Sequence, residues 1–202
     1  MISINRKSET LRQKILRKMY PLIRSLGKRG RNGTVLANEK GTAPTASFYD
    51  LKVSLNNGET LHFSELKGKK VLLVNTASHC GYTGQYAELQ SLHERWGGTL
   101  RIIAFPANDF AEQEKGDDQQ IARFCQLNYG LTFPLAVKGV VVKHTDQQPV
   151  FRWLTDKDLN GWNEHGPDWN FGKYLVDEQG KLINYFGPSV SPLEEGFLAA
   201  LE

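Results

Sequence analysis

Two apolar runs joined by a helical pattern constrain the fold of this 202-residue chain more than any other feature. Residues 70–77 are largely apolar without alternation, which is typical of a strand buried on both faces of a sheet. Apolar residues then recur at helical spacing, at Tyr86, Leu89, Leu92 and Trp96. A second apolar run follows at 99–105. A strand, a helix and a strand with a short return predict a right-handed crossover and a parallel pair.

The loop after the first run carries Cys80, one of only two cysteines. It lies just before the predicted helix, where unsatisfied N–H groups and the positive end of the helix dipole favour a thiolate. Thr83 is suited to cap this helix. His79, Lys69 and Lys70 are further positive groups, unless they are simply solvated. We interpret Cys80 as a nucleophile, and the alternative is a small buried core residue.

The loops that follow two parallel strands open at the same edge of a sheet. Gln113 lies in the loop after the second run, so we expect it to approach Cys80. A further helix begins at Asp117, whose acidic side chain suits the dipole, and its apolar face includes Cys125. The second cysteine is therefore predicted on a helix that packs against the sheet.

The remaining patterns complete an α/β fold. Residues 48–55 and 60–63 flank an Asn-Gly turn and predict a β-hairpin. A second antiparallel hairpin is predicted over 173–186, and an amphipathic helix over 192–202 closes the chain. This order of elements predicts an α/β sandwich with a mixed central sheet, helices on both faces and an N-terminal β-hairpin.

Composition excludes several classes of protein. Two cysteines 45 positions apart cannot form a dense disulfide scaffold, and no cluster of Cys and His has the spacing of a zinc site. No apolar segment approaches the roughly 20 residues of a membrane-spanning helix, and none is a clear signal-peptide core. We expect a cytoplasmic protein that uses its thiols chemically, without a metal or other cofactor.

The basic residues are concentrated at the N-terminus. Residues 1–40 hold eleven Lys/Arg against two acidic residues, a net charge of +9, whereas the rest holds 14 against 20 and is −6. One helical arc collects Leu11, Ile15, Leu16, Met19, Leu22, Ile23 and Leu26. Basic residues lie opposite, so 11–28 is predicted to be an amphipathic helix that Pro21 bends. Residues 1–45 are interpreted as an extension whose linker spans 34–47.

This helix has two interpretations. It either packs its apolar stripe on its own domain, or it acts outward, as a membrane-surface helix, an organelle-targeting segment or a docking element for a partner. Nucleic-acid binding is not expected, because no aromatic residues interleave the basic ones in a recognised module.

Three blocks of sequence form a set of motifs: Asn75-x-x-Ser-x-Cys80-Gly-x-Thr83, Phe105-Pro-x-Asn-x-Phe-x-x-Gln113-Glu and Trp169-Asn170-Phe171. Together they resemble the signature motifs of the glutathione peroxidase family. Their order and spacing match, and the resemblance covers about 46–202. It implies a peroxidase domain with a thioredoxin-like fold, which reduces hydrogen peroxide and organic hydroperoxides.

By this resemblance Cys80 is the peroxidatic residue, and Gln113, Trp169 and Asn170 complete a catalytic tetrad. Two amides and an indole are neutral groups that can hold a thiolate and polarise a bound peroxide. Attack by sulfur on the peroxide would leave a sulfenic acid. Cys125 resembles the resolving cysteine of members that use thioredoxin, which implies a disulfide that thioredoxin reduces.

Two alternatives to this mechanism stay open. One is a one-cysteine enzyme that uses glutathione, and the other is a peroxide sensor in which Cys80 passes its oxidation to a partner protein. A disulfide requires Cα atoms within about 7 Å. If Cys125 lies farther from Cys80, the helix over 117–129 must unwind locally after oxidation.

The chain departs from the family pattern at several positions. Ala107 stands where many members have another cysteine, and Asp109 replaces a common glutamine. Gly84 replaces a frequent proline, which predicts a less rigid helix start after Cys80. Residues 138–168 lack the insertion of tetrameric members, so a monomer is expected.

Overall fold

The structure, a computed structural model, describes residues 10–28 and 30–202. Residues 1–9 and 29, which the sequence assigns to the basic extension, lie outside the described residues. The strands are β1 Val35–Ala37, β2 Lys52–Ser54, β3 Thr60–His62, β4 Lys70–Thr76, β5 Leu100–Pro106, β6 Lys173–Val176 and β7 Leu182–Phe186. The α-helices are α1 Leu11–Gly27, α2 Gln85–Trp96, α3 Asp118–Tyr129, α4 Pro149–Leu154, α5 Lys157–Asn160 and α6 Glu195–Ala199.

A five-stranded mixed sheet with the order β1-β7-β6-β4-β5 forms the centre. The parallel pairing of β4 with β5 is confirmed, whereas the pairs β4–β6, β6–β7 and β1–β7 are antiparallel. In the β4–β5 register Thr76 lies opposite Pro106. The two strands therefore end level, and the loops that follow them leave the sheet side by side.

Helices and a hairpin cover the sheet, as predicted. One buried cluster joins the sheet to α2 and α3, and a second joins its other face to α4 and to the region of the hairpin β2–β3. The hairpin forms a separate two-stranded sheet and turns at Gly58, with a φ of 90°. The α/β architecture with a mixed sheet is thus confirmed, although the C-terminal helix is shorter than the predicted 192–202.

Part of the expected linker belongs to the sheet. Residues 34–47 are predicted to be a linker, but Val35–Ala37 form the edge strand β1 and pair with β7. The chain between α1 and the hairpin is therefore partly ordered by the sheet. The predicted domain boundary at residue 46 stays a prediction.

The predicted N-terminal helix is present, but it packs on the domain through a different face. Thr10 and Gln13 form a capping box at its start, and Pro21 lies inside it. The buried residues of α1 are Gln13 and Tyr20, whereas five of the seven apolar stripe residues are exposed. The interpretation in which the stripe packs on the domain is wrong. No helix among residues 10–28 and 30–202 is both long and apolar enough to cross a membrane.

Candidate active site

The loops after β4 and β5 are joined at the edge where Cys80 lies. The backbone N–H of His79 donates to the carbonyl of Gln113 at 3.0 Å. The backbone N–H and the hydroxyl of Ser78 both donate to Glu114 Oε2, at 2.7 and 3.0 Å. These bonds hold the second loop against the first, so Gln113 approaches Cys80 as its sequence position predicts.

Several donors surround the sulfur of Cys80. The backbone N–H of Tyr82 donates to Sγ at 3.5 Å, and the side chains of Asn170 and Trp169 also donate to it. Asn170 Nδ2 donates in addition to Gln113 Oε1 at 3.1 Å. The structure therefore brings all four residues of the predicted tetrad together. The arrangement can stabilise negative charge on sulfur by neutral hydrogen bonds.

Burial affects the pKa of Cys80 more strongly than these hydrogen-bond donors do. Burial raises the pKa of Cys80 to about 11, and the hydrogen bonds from Tyr82, Asn170, Trp169 and Gly81 only partly oppose it. A charged sulfur is unfavourable away from water. The predicted thiolate is therefore not the stable form in this arrangement, where Cys80 is fully buried.

The helix after Cys80 begins later than predicted. Its first residue is Gln85, its N-cap is Gly84, and no side chain bonds the cap. Thr83 is buried and does not cap it, so that prediction is wrong. Lys70 also cannot assist Cys80, because it begins β4 and its Nζ donates to Leu201 O at 2.7 Å, at the far end of the strand.

The third motif block, residues 169–171, is hydrogen-bonded to Asn75 of the first block. Asn75 Nδ2 donates to the carbonyl of Trp169 at 3.0 Å, and the backbone N–H of Phe171 donates back to Asn75 O at 2.6 Å. The rings of Trp169 and Phe110 lie 5.5 Å apart between centroids. Lys173, a buried lysine whose role the sequence did not reveal, donates from Nζ to Phe171 O at 2.7 Å. Its only sequence signal was a lysine at the start of an apolar strand.

Backbone strain is concentrated at the same place. Among the described residues, three non-glycine residues have positive φ: Ala111 and Glu112 at 50° and Phe171 at 71°. The first two precede Gln113, and Phe171 follows Asn170. Non-glycine residues in this region cost about 1–3 kcal/mol each and cluster where function fixes the backbone. The two loops are thus held in unusual conformations where they present their amides.

Cys125 lies in the same buried cluster as Cys80, and both cysteines are free. Tyr86 packs beside it, with ring centroids 6.4 Å from Phe124, 5.2 Å from Tyr129 and 5.1 Å from Phe171. Burial raises the pKa of the Cys125 thiol to about 12, which the Tyr86 hydroxyl partly opposes. Cys125 is therefore fully buried beside a cluster of aromatic rings in the reduced protein.

Helix α1 covers the loop that carries Cys80. Gln13 Nε2 donates to Ser78 O at 3.2 Å and lies 3.2 Å from His79 Nε2. Ile23 contacts Gly81, where a β-carbon would lie 2.9 Å from its Cδ1. The sequence did not predict that α1 covers this loop, since the helix lies outside the resemblance to the family. The available signal was Gly84 in place of proline.

Glu114 is a second group whose part was missed. It is buried, and burial raises its carboxyl pKa to about 7 against the hydrogen bonds from Ser78. A pocket of about 360 Å³ lies between α1, the Cys80 loop and α3, and Glu114 is among its lining residues. Its place beside Gln113 in the second motif was the only indication.

The positions that depart from the family pattern are accommodated by packing. Ala107 is buried, and its backbone N–H donates to Thr76 O at 3.0 Å. Asp109 Oδ2 accepts from the backbone N–H of Val141 at 2.8 Å, which ties the loop after β5 to the segment after α3. Within the part of the chain that the structure describes, no group of three or more His, Cys, Asp or Glu could hold a metal ion.

Known proteins are similar to this chain in sequence and in fold. The family model described as glutathione peroxidase matches residues 48–155. The "Glutathione peroxidase-like peroxiredoxin 2" of Saccharomyces cerevisiae is 43% identical over 149 residues, which are 73% of this chain and 91% of the yeast protein. The crystal structure of Trgpx in apo form superposes with a TM-score of 0.58 at 31% identity, covering 78% of this chain and 96% of Trgpx.

A wider likeness concerns the fold alone. The thiol:disulfide interchange protein of the thioredoxin family from Chlorobium tepidum TLS superposes with a TM-score of 0.55 at 13% identity, covering 79% of this chain and 93% of the other. The expected thioredoxin-like fold is confirmed. Because the family model covers more than half of the chain and a relative is well over 30% identical across most of it, the chain belongs to the glutathione peroxidase family and is a peroxidase.

Proposed function

We propose that this peroxidase is a two-cysteine enzyme that reduces hydroperoxides at Cys80 and is regenerated by thioredoxin through Cys125. The Cys80 sulfur attacks one peroxide oxygen, the O–O bond breaks, and an alcohol or water leaves, so that Cys80 becomes a sulfenic acid. The Cys125 thiol then attacks that sulfur, a disulfide forms, and water leaves. Two thiols of thioredoxin reduce the disulfide by exchange.

The observation that carries the first step is the set of donors at one sulfur. Tyr82 N–H, Asn170 and Trp169 donate to Cys80, and Gln113 accepts from Asn170. A thiolate and a developing alkoxide both gain from neutral donors that are already oriented. In this proposal Gln113, Trp169 and Asn170 act together with Cys80 as the catalytic residues.

Ionisation of Cys80 must accompany a local opening. Burial is the largest cause of its raised pKa, and the α1 residue Ile23 lies against the adjacent Gly81. When the site opens, water or the polar peroxide reaches the sulfur, and the cost of charging it falls. The donors around the sulfur then favour the thiolate.

For the resolution step we propose a second opening, at α3. Cys125 is fully buried beside the Tyr86 hydroxyl, and its thiol is protonated at neutral pH. In this proposal α3 unwinds around residue 125, so that the Cys125 thiol leaves its buried position and reaches Cys80. Disulfide formation would thus exchange aromatic packing for a covalent bond.

Mass spectrometry after one equivalent of hydrogen peroxide tests the mechanism. We expect a Cys80–Cys125 disulfide in the natural protein, and a Cys80 sulfenic acid in the Cys125→Ser variant. Steady-state turnover with thioredoxin should be lost in that variant. Full turnover of Cys125→Ser with glutathione would instead identify a one-cysteine enzyme. A stable mixed disulfide with one protein, with negligible turnover, would identify a peroxide sensor.

We propose further that the protein is a monomeric, cytoplasmic enzyme. The short 138–168 segment favours a monomer, and the chemistry needs no metal or other cofactor beyond the thiol reductant. We place the enzyme in the cytoplasm, where a reducing pool keeps the two thiols free. No nucleic-acid partner is proposed.

A further inference from the structure

Helix α1 presents a continuous apolar stripe to solvent. The exposed fractions are 75% for Leu11, 48% for Ile15, 44% for Met19, 55% for Leu22 and 67% for Leu26. At about 100° per residue these five side chains fall within roughly an 80° arc. Scattered apolar residues on a surface are ordinary, but a contiguous row marks an interaction site.

The stripe is not a core face that was left uncovered by chance. The opposite side of the same helix already packs on the domain through Gln13 and Tyr20, and Ile23 packs there at the edge of the apolar arc. Its polar atoms are bonded there, since Gln13 Nε2 donates to Ser78 O at 3.2 Å and the Tyr20 hydroxyl donates to Glu88 Oε2 at 2.9 Å. With that side in place, the stripe must face away from the domain.

Positive charge borders the stripe. On the same helical projection Lys14 and Lys18 lie along one margin and Arg12 along the other, and all three residues are exposed. Residues 10–28 contain six Lys/Arg and no acidic residue. An apolar stripe with cationic margins is the pattern of a helix that lies in the interface of a membrane with anionic lipids.

We propose that the outer face of α1 binds the surface of a bilayer that contains anionic lipids, while its inner face stays on the domain. The five apolar side chains enter the boundary between headgroups and acyl chains, and the basic margins contact lipid phosphates. Because α1 covers the Cys80 loop, the bound protein holds that loop about one helix diameter, roughly 10 Å, from the headgroups. The binding does not depend on the two-cysteine chemistry.

A second copy of the chain is a poorer fit to this face. A twofold contact through the stripes would bring two cationic helices together, and like charges would oppose it. One row of five side chains is also small beside the roughly 800 Å² that each partner buries in a stable complex. The test must therefore distinguish vesicle binding from contact of the stripe with the net negative body of another copy.

Vesicle co-sedimentation of the full chain tests the proposal. The vesicles are equal parts phosphatidylcholine and phosphatidylglycerol, compared with phosphatidylcholine alone. We expect binding that favours the anionic vesicles and falls about fivefold for each lysine removed in Lys14→Gln and Lys18→Gln. The vesicle partition coefficient of the Leu22→Ser/Leu26→Ser variant should fall by at least about tenfold, because the apolar area that enters the bilayer is reduced.

Val137→Ser/Leu193→Ser is the matched control, since both residues are exposed apolar side chains outside α1. It should bind like the natural protein. If Leu22→Ser/Leu26→Ser unfolds, Ile15→Ser/Met19→Ser on the same stripe replaces it. Equal sedimentation with and without vesicles would overturn the proposal. So would stripe variants that bind undiminished, or light scattering that shows a dimer lost in the stripe variants and no vesicle binding.

Discussion

The Tyr20 ring of α1 occupies the space that a β-carbon at Gly84 would need. Its hydroxyl donates to Glu88 Oε2 at 2.9 Å, and the Ser191 hydroxyl donates to the same oxygen at 2.8 Å. The glycine that departs from the family pattern is therefore a position where the N-terminal helix packs directly on the start of α2. The expected loss of rigidity at Gly84 is offset by a side chain from another element.

Gly84→Ala is expected to lower the free energy of unfolding by about 1–3 kcal/mol, because the new methyl group overpacks against the Tyr20 ring. Urea denaturation measures the change. Gly98→Ala is the matched control, since no atom lies within 4 Å of a β-carbon there. In the Tyr20→Ala background the cost of Gly84→Ala should disappear. An equal cost in both backgrounds would show that the contact does not matter.

Asn170→Ala is expected to slow peroxide reduction roughly tenfold to a hundredfold, because a hydrogen bond to a charged group contributes about 1.5–3 kcal/mol. It should also raise the pKa of Cys80, since the Asn170 side chain opposes the effect of burial. The pH dependence of alkylation, measured in Cys125→Ser protein, follows that pKa. Asn184→Ala, an amide outside the site, should leave both unchanged. An unaltered alkylation profile in Asn170→Ala would contradict the role of Asn170.

Oxidation is expected to speed amide hydrogen exchange in Asp118–Tyr129, because in the proposed mechanism α3 unwinds to let Cys125 leave its buried position beside Tyr86. Exchange is compared before and after one equivalent of peroxide. The oxidised Cys125→Ser variant is the control, since it cannot form the disulfide and should retain the slow exchange. Unchanged exchange in the natural protein would mean that the disulfide forms without unwinding of α3, or does not form.

Glu114 is expected to make the protein less stable as the pH rises from about 4.5 to about 7. Burial raises its pKa from 4.5 to about 7, so in this window the folded protein binds a proton that the unfolded chain has lost. The free energy of unfolding therefore falls with pH, by an amount on the order of 3 kcal/mol. Its contribution is fully present below pH 4.5 and is lost as the pH passes 7.

Glu114→Gln should flatten this part of the stability curve, because glutamine keeps the shape and does not titrate. Glu112→Gln is the control, since Glu112 is exposed two residues away and pairs with Lys115 at 2.8 Å. Chemical denaturation of both variants at several pH values between 4.5 and 7 measures how their free energies of unfolding depend on pH. If the free energy of unfolding of Glu114→Gln falls with pH as steeply as that of the natural protein, Glu114 is not the cause of this pH dependence.

Local sequence patterns were sufficient to predict most helices and strands and to group the residues of the site. The parallel pair β4–β5, the helices α2 and α3 and both hairpins follow from hydrophobic period and turn residues, which act over a few positions. The meeting of Gln113 with Cys80 also follows, because level parallel strands deliver their loops to one edge.

Only the tertiary structure decided the ionisation of Cys80 and the orientation of α1. A strand-to-helix turn favours a thiolate, but the pKa depends on everything that excludes water, including a helix some 60 residues earlier in the chain. The apolar stripe of α1 suggested which side to bury, yet the domain accepts Tyr20 and Gln13 instead. The reason is physical: local sequence sets period and conformation, whereas solvation and shape complementarity are properties of the surfaces that folding brings together.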